Sequence, residues 1–149
     1  MRDEINSALK EATKAQDKRR VSTLRMVSAA VKDRDIAARG EGKEQATDAE
    51  ILATLTKMVK QREDSRKVYA EAGRDELAAQ EAEEIEIINE FLPKQLSDAE
   101  TEKAIDAAIA ATGAESIKDM GKVMGELKAR HAGEMDFAKA GAAVKAKLG

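Results

Sequence analysis

The chain has 149 residues, of which 42% are hydrophobic and 37% charged, with a net charge of −3. It is too apolar to be a disordered chain, and it holds no apolar run of the roughly 18–20 residues that a spanning helix needs. It contains no cysteine, which excludes disulfides, thiolate zinc sites and cysteine nucleophiles. The opening stretch MRDEINSALKEATK mixes acids with bases around no apolar segment, unlike a signal or transit peptide. Together these features set the expectation of a cytoplasmic protein of one domain, or one domain plus a small appendage.

Almost every segment reads as helix. Ala, Glu, Lys, Asp and Leu dominate, the single proline is Pro93, and alternating strand patterns are absent. A first helix carries Ile5, Ala8, Leu9 and Ala12 on one face. A second carries Val21, Leu24, Val27 and Val31, and GEG at 40–42 lies in a polar loop. Thr47 and Glu50 form a capping box, in which each side chain satisfies a free amide of the first turn. The third helix behind it has the stripe Ile51, Leu52, Leu55, Met58 and Val59 and stops near Gly73. A fourth covers about 75–92, with Leu77, Ile85, Ile88 and Leu92 inward.

FLPKQLSDAE marks the main boundary, because Pro93 disfavours helix at the residue before it. Ser97 and Glu100 form a second capping box, and the fifth helix buries Ile105, Ala108 and Ile109 before Gly113 ends it. Ser116 and Asp119 make a weaker cap. A sixth helix follows in KDMGKVMGELKARHAG, residues 118–133, with Met120, Val123, Met124 and Leu127 at helical spacing and Gly133 at its end. Asp136 caps a last helix through Phe137, Val144 and Leu148. The expected architecture is all-α: a four-helix part over 1–93, then a small three-helix domain over 94–149. A unit that small leans on another surface for stability.

No catalytic constellation emerges. His131 is the only histidine, and its place near a helix end suits a cation. The acids of EAEEIEIINE, 81–90, read as a solvated face, because the isoleucines keep helical spacing. KQREDSRK, 60–67, reads as an exposed polar helix with Glu63 and Lys67 paired four apart. Lys60, Arg62, Arg66 and Lys67 could otherwise face phosphates. The segment 10–34, with KRR at 18–20, is also basic. No cofactor, metal or small-molecule motif is present. The aromatics are Tyr69, Phe91 and Phe137 only, too few for base-stacking platforms. Recognition of structured RNA by shape and phosphates is left open.

Gly121 and Gly125 are the most informative pair. Each glycine inside a helix costs roughly 1 kcal/mol relative to alanine. Two of them four apart form a flat strip. Two uses are open. Neighbouring helices of the tail pack closely on it, or an RNA backbone approaches it, with Lys118, Lys122, Lys128 and Arg130 supplying charge. From residue 117 onward there are seven Lys or Arg against four Asp or Glu.

KMVKQREDSRKVYAEAGRDELA, EFLPKQLSDAE and SIKDMGKVMGELKAR, in this order and spacing, resemble the GatB/YqeY family over essentially the whole chain. The resemblance implies four N-terminal helices and a three-helix tail. The tail resembles that of the B subunit of the bacterial aminoacyl-tRNA amidotransferase, which is understood to touch the outer corner of tRNA. It implies a tRNA contact at Gly121, Gly125, Lys128 and Gly133, with Lys118, Lys122 and Arg130 beside them. The carbon–nitrogen ligase chemistry of that enzyme, with glutamine as amido donor, resides in other domains and subunits. The expected role is therefore a non-catalytic module for structured RNA. A protein-interaction adaptor using the glycine strip with Met120 and Met124 is the second expectation, its partner an amidotransferase component or another protein. An amidotransferase acting alone is the third.

Overall fold

The computed structural model describes all of residues 1–149. The fold is all-α, with seven helices and no strand. The chain divides into two compact units, Met1–Pro93 and Lys94–Gly149.

The first unit holds α1 (Arg2–Lys14), α2 (Lys18–Gly40), α3 (Asp48–Glu71) and α4 (Asp75–Asn89). Ile5, Val27, Val31, Ala38, Ala46, Ile51, Leu55, Met58 and Ile88 form one buried cluster. The 3–4 spacing along α2 and α3 turns these side chains to one side of each helix. Thr47 accepts from the Glu50 amide and Glu50 reaches back to the Thr47 amide, so α3 starts at its capping box.

A polar knot ties α1, α2 and the loop before α3. The Arg2 guanidinium donates two hydrogen bonds to Asp35, at 2.5 and 2.7 Å, and a third to the Ala46 carbonyl at 2.7 Å. Asp35 in turn accepts from the Ala46 amide at 2.9 Å. The Arg2 fork, then the Ala46 amide, holds the Asp35 carboxyl below the usual carboxylate range.

Past Val59 the apolar stripe of α3 ends, and its exposed Val68 is 62% accessible. This half of α3 has an ionic tie to α4. Arg62 Nε donates to Glu84 Oε2 at 3.1 Å, and Arg62 Nη1 donates to the Met58 carbonyl at 3.2 Å. Only 13% and 8% of the two side chains remain accessible. The acids of 81–90 are therefore not all a solvated face: Glu84 is drawn inward because Arg62 is there to neutralise it. Its neighbour Glu81 is pushed above the ordinary carboxylate range, first by burial and then by the charge of Glu84. Two other expectations for this region change. Glu63 pairs with Arg66 at 2.9 Å, one residue short of Lys67. Leu77, expected inward, is 36% exposed, because it lies beyond the last core layer. One buried hydroxyl, Thr23 Oγ1, has no hydrogen-bond partner.

The second unit holds α5 (Asp98–Thr112), α6 (Met120–Arg130), entered through a short 3₁₀ turn at Ile117–Asp119, and α7 (Phe137–Leu148). Ser97 and Glu100 make the second capping box. Ile105, Ala108, Val123, Leu127, Met135, Ala140 and Val144 form the core. The connection from α6 to α7 is latched to the start of the unit: Gln95 Nε2 donates to the Gly133 carbonyl at 2.6 Å, and the Leu96 amide donates to the Glu134 carbonyl at 2.9 Å. Gly133 is buried with φ +75°, a left-handed conformation that suits glycine.

Arg62→Met should destabilise the protein by about 3 kcal/mol, because it strands a buried carboxylate. Adding Glu84→Leu should restore most of the loss in urea unfolding. Equal destabilisation by the single and double variants would show that the pair does not join α3 to α4.

Candidate functional site

Each residue of α6 turns about 100° from the last. Val123 and Leu127 are fully buried, with 0% and 1% accessible, and Met120 and Met124 pack beside them. This fixes which way the rest of the helix faces. Gly121, Gly125 and Lys128, spaced i, i+4 and i+7, fall together on an outer flank, and all three are exposed.

The two glycines meet nothing from their own chain. A Cβ built on either would have no neighbour within 4 Å. The expectation that they let the tail's helices pack closely is therefore overturned. The apolar stripe is what the helices pack on, and the glycines lie off it. The glycine that does face another helix is Gly141 of α7. A Cβ there would touch the methyls of Met120 and Met124 at 3.6 and 3.8 Å. Gly141 was missed at the sequence level. The AKAGAAVKA run around it carries small residues on every side, so nothing singled it out.

Charge surrounds the strip. Lys118, in the 3₁₀ turn, and Lys122 and Lys128 are exposed and in no ion pair. Arg130 is partly neutralised by Glu126 at 2.6 Å. Asp119 is turned back into the turn. It accepts from the Glu115 and Ser116 amides at 3.0 and 3.4 Å, which hold its carboxyl below the usual range. His131 follows the end of α6, with Nδ1 2.9 Å from Glu134 Oε2. Gly133, grouped with the strip by resemblance, lies apart from it in the buried latch. Its role in the structure is conformational.

The other basic segments are largely engaged. In 60–67, Arg62 and Arg66 are taken up by Glu84 and Glu63. In KRR at 18–20, Arg19 pairs with Glu83 at 3.3 Å and Arg20 with Glu90. No group of three or more His, Asp or Glu side chains converges as a metal site. No helix is long and apolar enough to cross a membrane.

The sequence matches the family model described as Yqey-like protein over residues 2–148. The chain belongs to the Yqey-like protein family. Among curated proteins, it is similar to Altered inheritance of mitochondria protein 41, mitochondrial, of Saccharomyces cerevisiae. The two are 27% identical over 129 residues, which span 83% of this chain and 68% of the relative. The Candida glabrata protein of the same name is 33% identical over 88 residues, 59% of this chain and 47% of the relative. That of Clavispora lusitaniae is 36% identical over 84 residues, 56% of this chain and 46% of the relative.

These relatives carry mitochondrial names, which corrects the expectation of a cytoplasmic protein. That expectation leaned on an opening stretch unlike a transit peptide and on the absence of cysteine, and the second fits any compartment where thiols stay reduced. It could not separate cytoplasm from mitochondrion.

Gly121→Ala and Gly125→Ala should each stabilise α6 by about 1 kcal/mol, since the added methyl meets open space and the helix gains propensity. Hydrogen exchange of the α6 amides should slow in both variants. Faster exchange would mean that something in the protein occupies the strip.

Proposed function

We propose that this Yqey-like chain is a non-catalytic module that binds structured RNA, with tRNA as the expected ligand, through the outer flank of α6. The observation that carries this is the exposed glycine pair. Two glycines weaken an 11-residue helix while relieving no crowding inside the protein. A strip kept bare on the outside suits a partner whose backbone must come close.

The chemistry around the strip favours a phosphate-bearing partner. Lys118, Lys122 and Lys128 leave their charges uncompensated by any carboxylate within ion-pair distance, and Lys128 shares the flank of the glycines. An RNA backbone offers both a close approach and fixed negative charge. Scarce aromatics fit recognition of shape and phosphates rather than of splayed-out bases. The resemblance of the tail to that of the amidotransferase B subunit points to the same ligand.

The adaptor role is less well supported. It called on Met120 and Met124 as an adaptable apolar surface, and both pack into the core of the second unit. A partner helix would have the glycines and the exposed Ile117 to work with.

Binding of folded total tRNA should be saturable and should weaken steeply with salt, because each neutralised phosphate releases counterions. Lys122→Glu with Lys128→Glu should lower affinity about tenfold at low salt and flatten the salt dependence by about two contacts. Unchanged binding in the double variant would remove this surface. Amide formation by the purified chain on Glu-tRNA, with glutamine and ATP, would overturn the non-catalytic reading.

A further inference from the structure

Part of the basic segment at 10–34 is unengaged where α1 meets α2. Thr13, Gln16, Lys18, Val21, Ser22 and Arg25 line an open groove of about 580 Å³. Lys18 and Arg25, seven apart on one face of α2, are exposed, while their neighbours Arg19 and Arg20 are tied to Glu83 and Glu90. Ser22 lies between them on the same face. No carboxylate lines the groove. The nearest acid in sequence, Asp17, is turned to cap α2, accepting from the Arg20 amide at 3.2 Å.

Gln16 adds a second, independent observation. It closes α1 with φ +57°, the chain's one positive φ outside glycine. Its amide donates to the Thr13 carbonyl, and the next amide, that of Asp17, donates to the Ala12 carbonyl. This is the helix ending at which glycine normally takes the left-handed position. A glutamine there bears backbone strain that glycine would not. Gln16 is also one of the residues that line the groove.

We infer that this groove is a second phosphate-contact surface for structured RNA, formed in the first unit by Lys18, Arg25, Ser22 and Gln16. Cationic and amide donors with no lining carboxylate fit anionic oxygens. Lys10 and Lys14, one turn apart on α1 and in no ion pair, add two positive charges to that helix, with Glu11 between them in sequence. An open groove matches a chain of phosphates better than a single enclosed anion. The inference rests on the RNA-binding role above but uses residues that role does not.

The test is anisotropy of labelled, folded total tRNA with the full chain at low salt. Four proteins are compared: unmodified, Lys18→Glu/Arg25→Glu, Lys122→Glu/Lys128→Glu, and a two-charge control, Lys57→Glu/Lys103→Glu. The groove pair should weaken binding about tenfold and lower the salt slope by about two, with the control within twofold of unmodified protein. Gln16→Gly, which relieves strain and should fold at least as well, should weaken binding severalfold. If the groove pair and Gln16→Gly both bind like the control while the tail pair weakens, the groove is wrong and the tail surface stands. If only the groove variants weaken, the groove stands and the tail surface falls. If unmodified protein binds no RNA, both fall. Inorganic phosphate that displaces RNA beyond an equal ionic strength of chloride would show a site for the free ion and would overturn the RNA assignment.

Discussion

Burial of Val123 and Leu127 decides how α6 is rotated about its axis, and the face proposed for binding depends on that rotation. With these two side chains in the core of the second unit, Gly121, Gly125 and Lys128 turn outward together. Had the glycines faced α7, their meaning would be packing. Facing solvent, they weaken the helix without a compensating contact inside the chain. A local loss of stability that the fold itself does not use is a feature expected of binding surfaces.

The first unit shows how a chain with few aromatics and many charges holds itself together. Its apolar core runs along most of α2 and the first half of α3, and polar ties act at both ends. Arg2, Asp35 and Ala46 join α1 to the loop before α3, and Arg62 with Glu84 joins the far half of α3 to α4. Each tie withdraws a cation from the surface. The basic stretches seen along the chain are thus thinned. Among the cations left in no ion pair are those of the α1–α2 groove and of the outer side of α6.

Local features of the fold were readable from the chain. The capping boxes at Thr47–Glu50 and Ser97–Glu100 involve residues three apart, so a linear pattern carries them whole. The apolar stripes of α2, α3 and α6 depend on helical spacing alone. Ties between distant residues were not readable. Arg62 and Glu84 are 22 apart and Arg2 and Asp35 are 33 apart, and nothing in the neighbourhood of either residue names its partner. The outward turn of the glycines could have been found. Placing Met120, Val123, Met124 and Leu127 on a helical wheel puts Gly121 and Gly125 off the stripe, which argues against internal packing. The buried latch at Gly133 could not, since it depends on Gln95 arriving from 38 residues away.

The family match and the yeast relatives establish kinship and leave the molecular role to the surface of the chain itself. The most direct test of that role follows the backbone amides of the glycines in ¹H–¹⁵N spectra as folded tRNA is added. The account predicts that the amides of Gly121, Gly125 and Lys128 shift or broaden at the lowest additions, while those of the buried Gly133 and Gly141 hold their positions. Saturable tRNA binding that leaves Gly121 and Gly125 unmoved would contradict it.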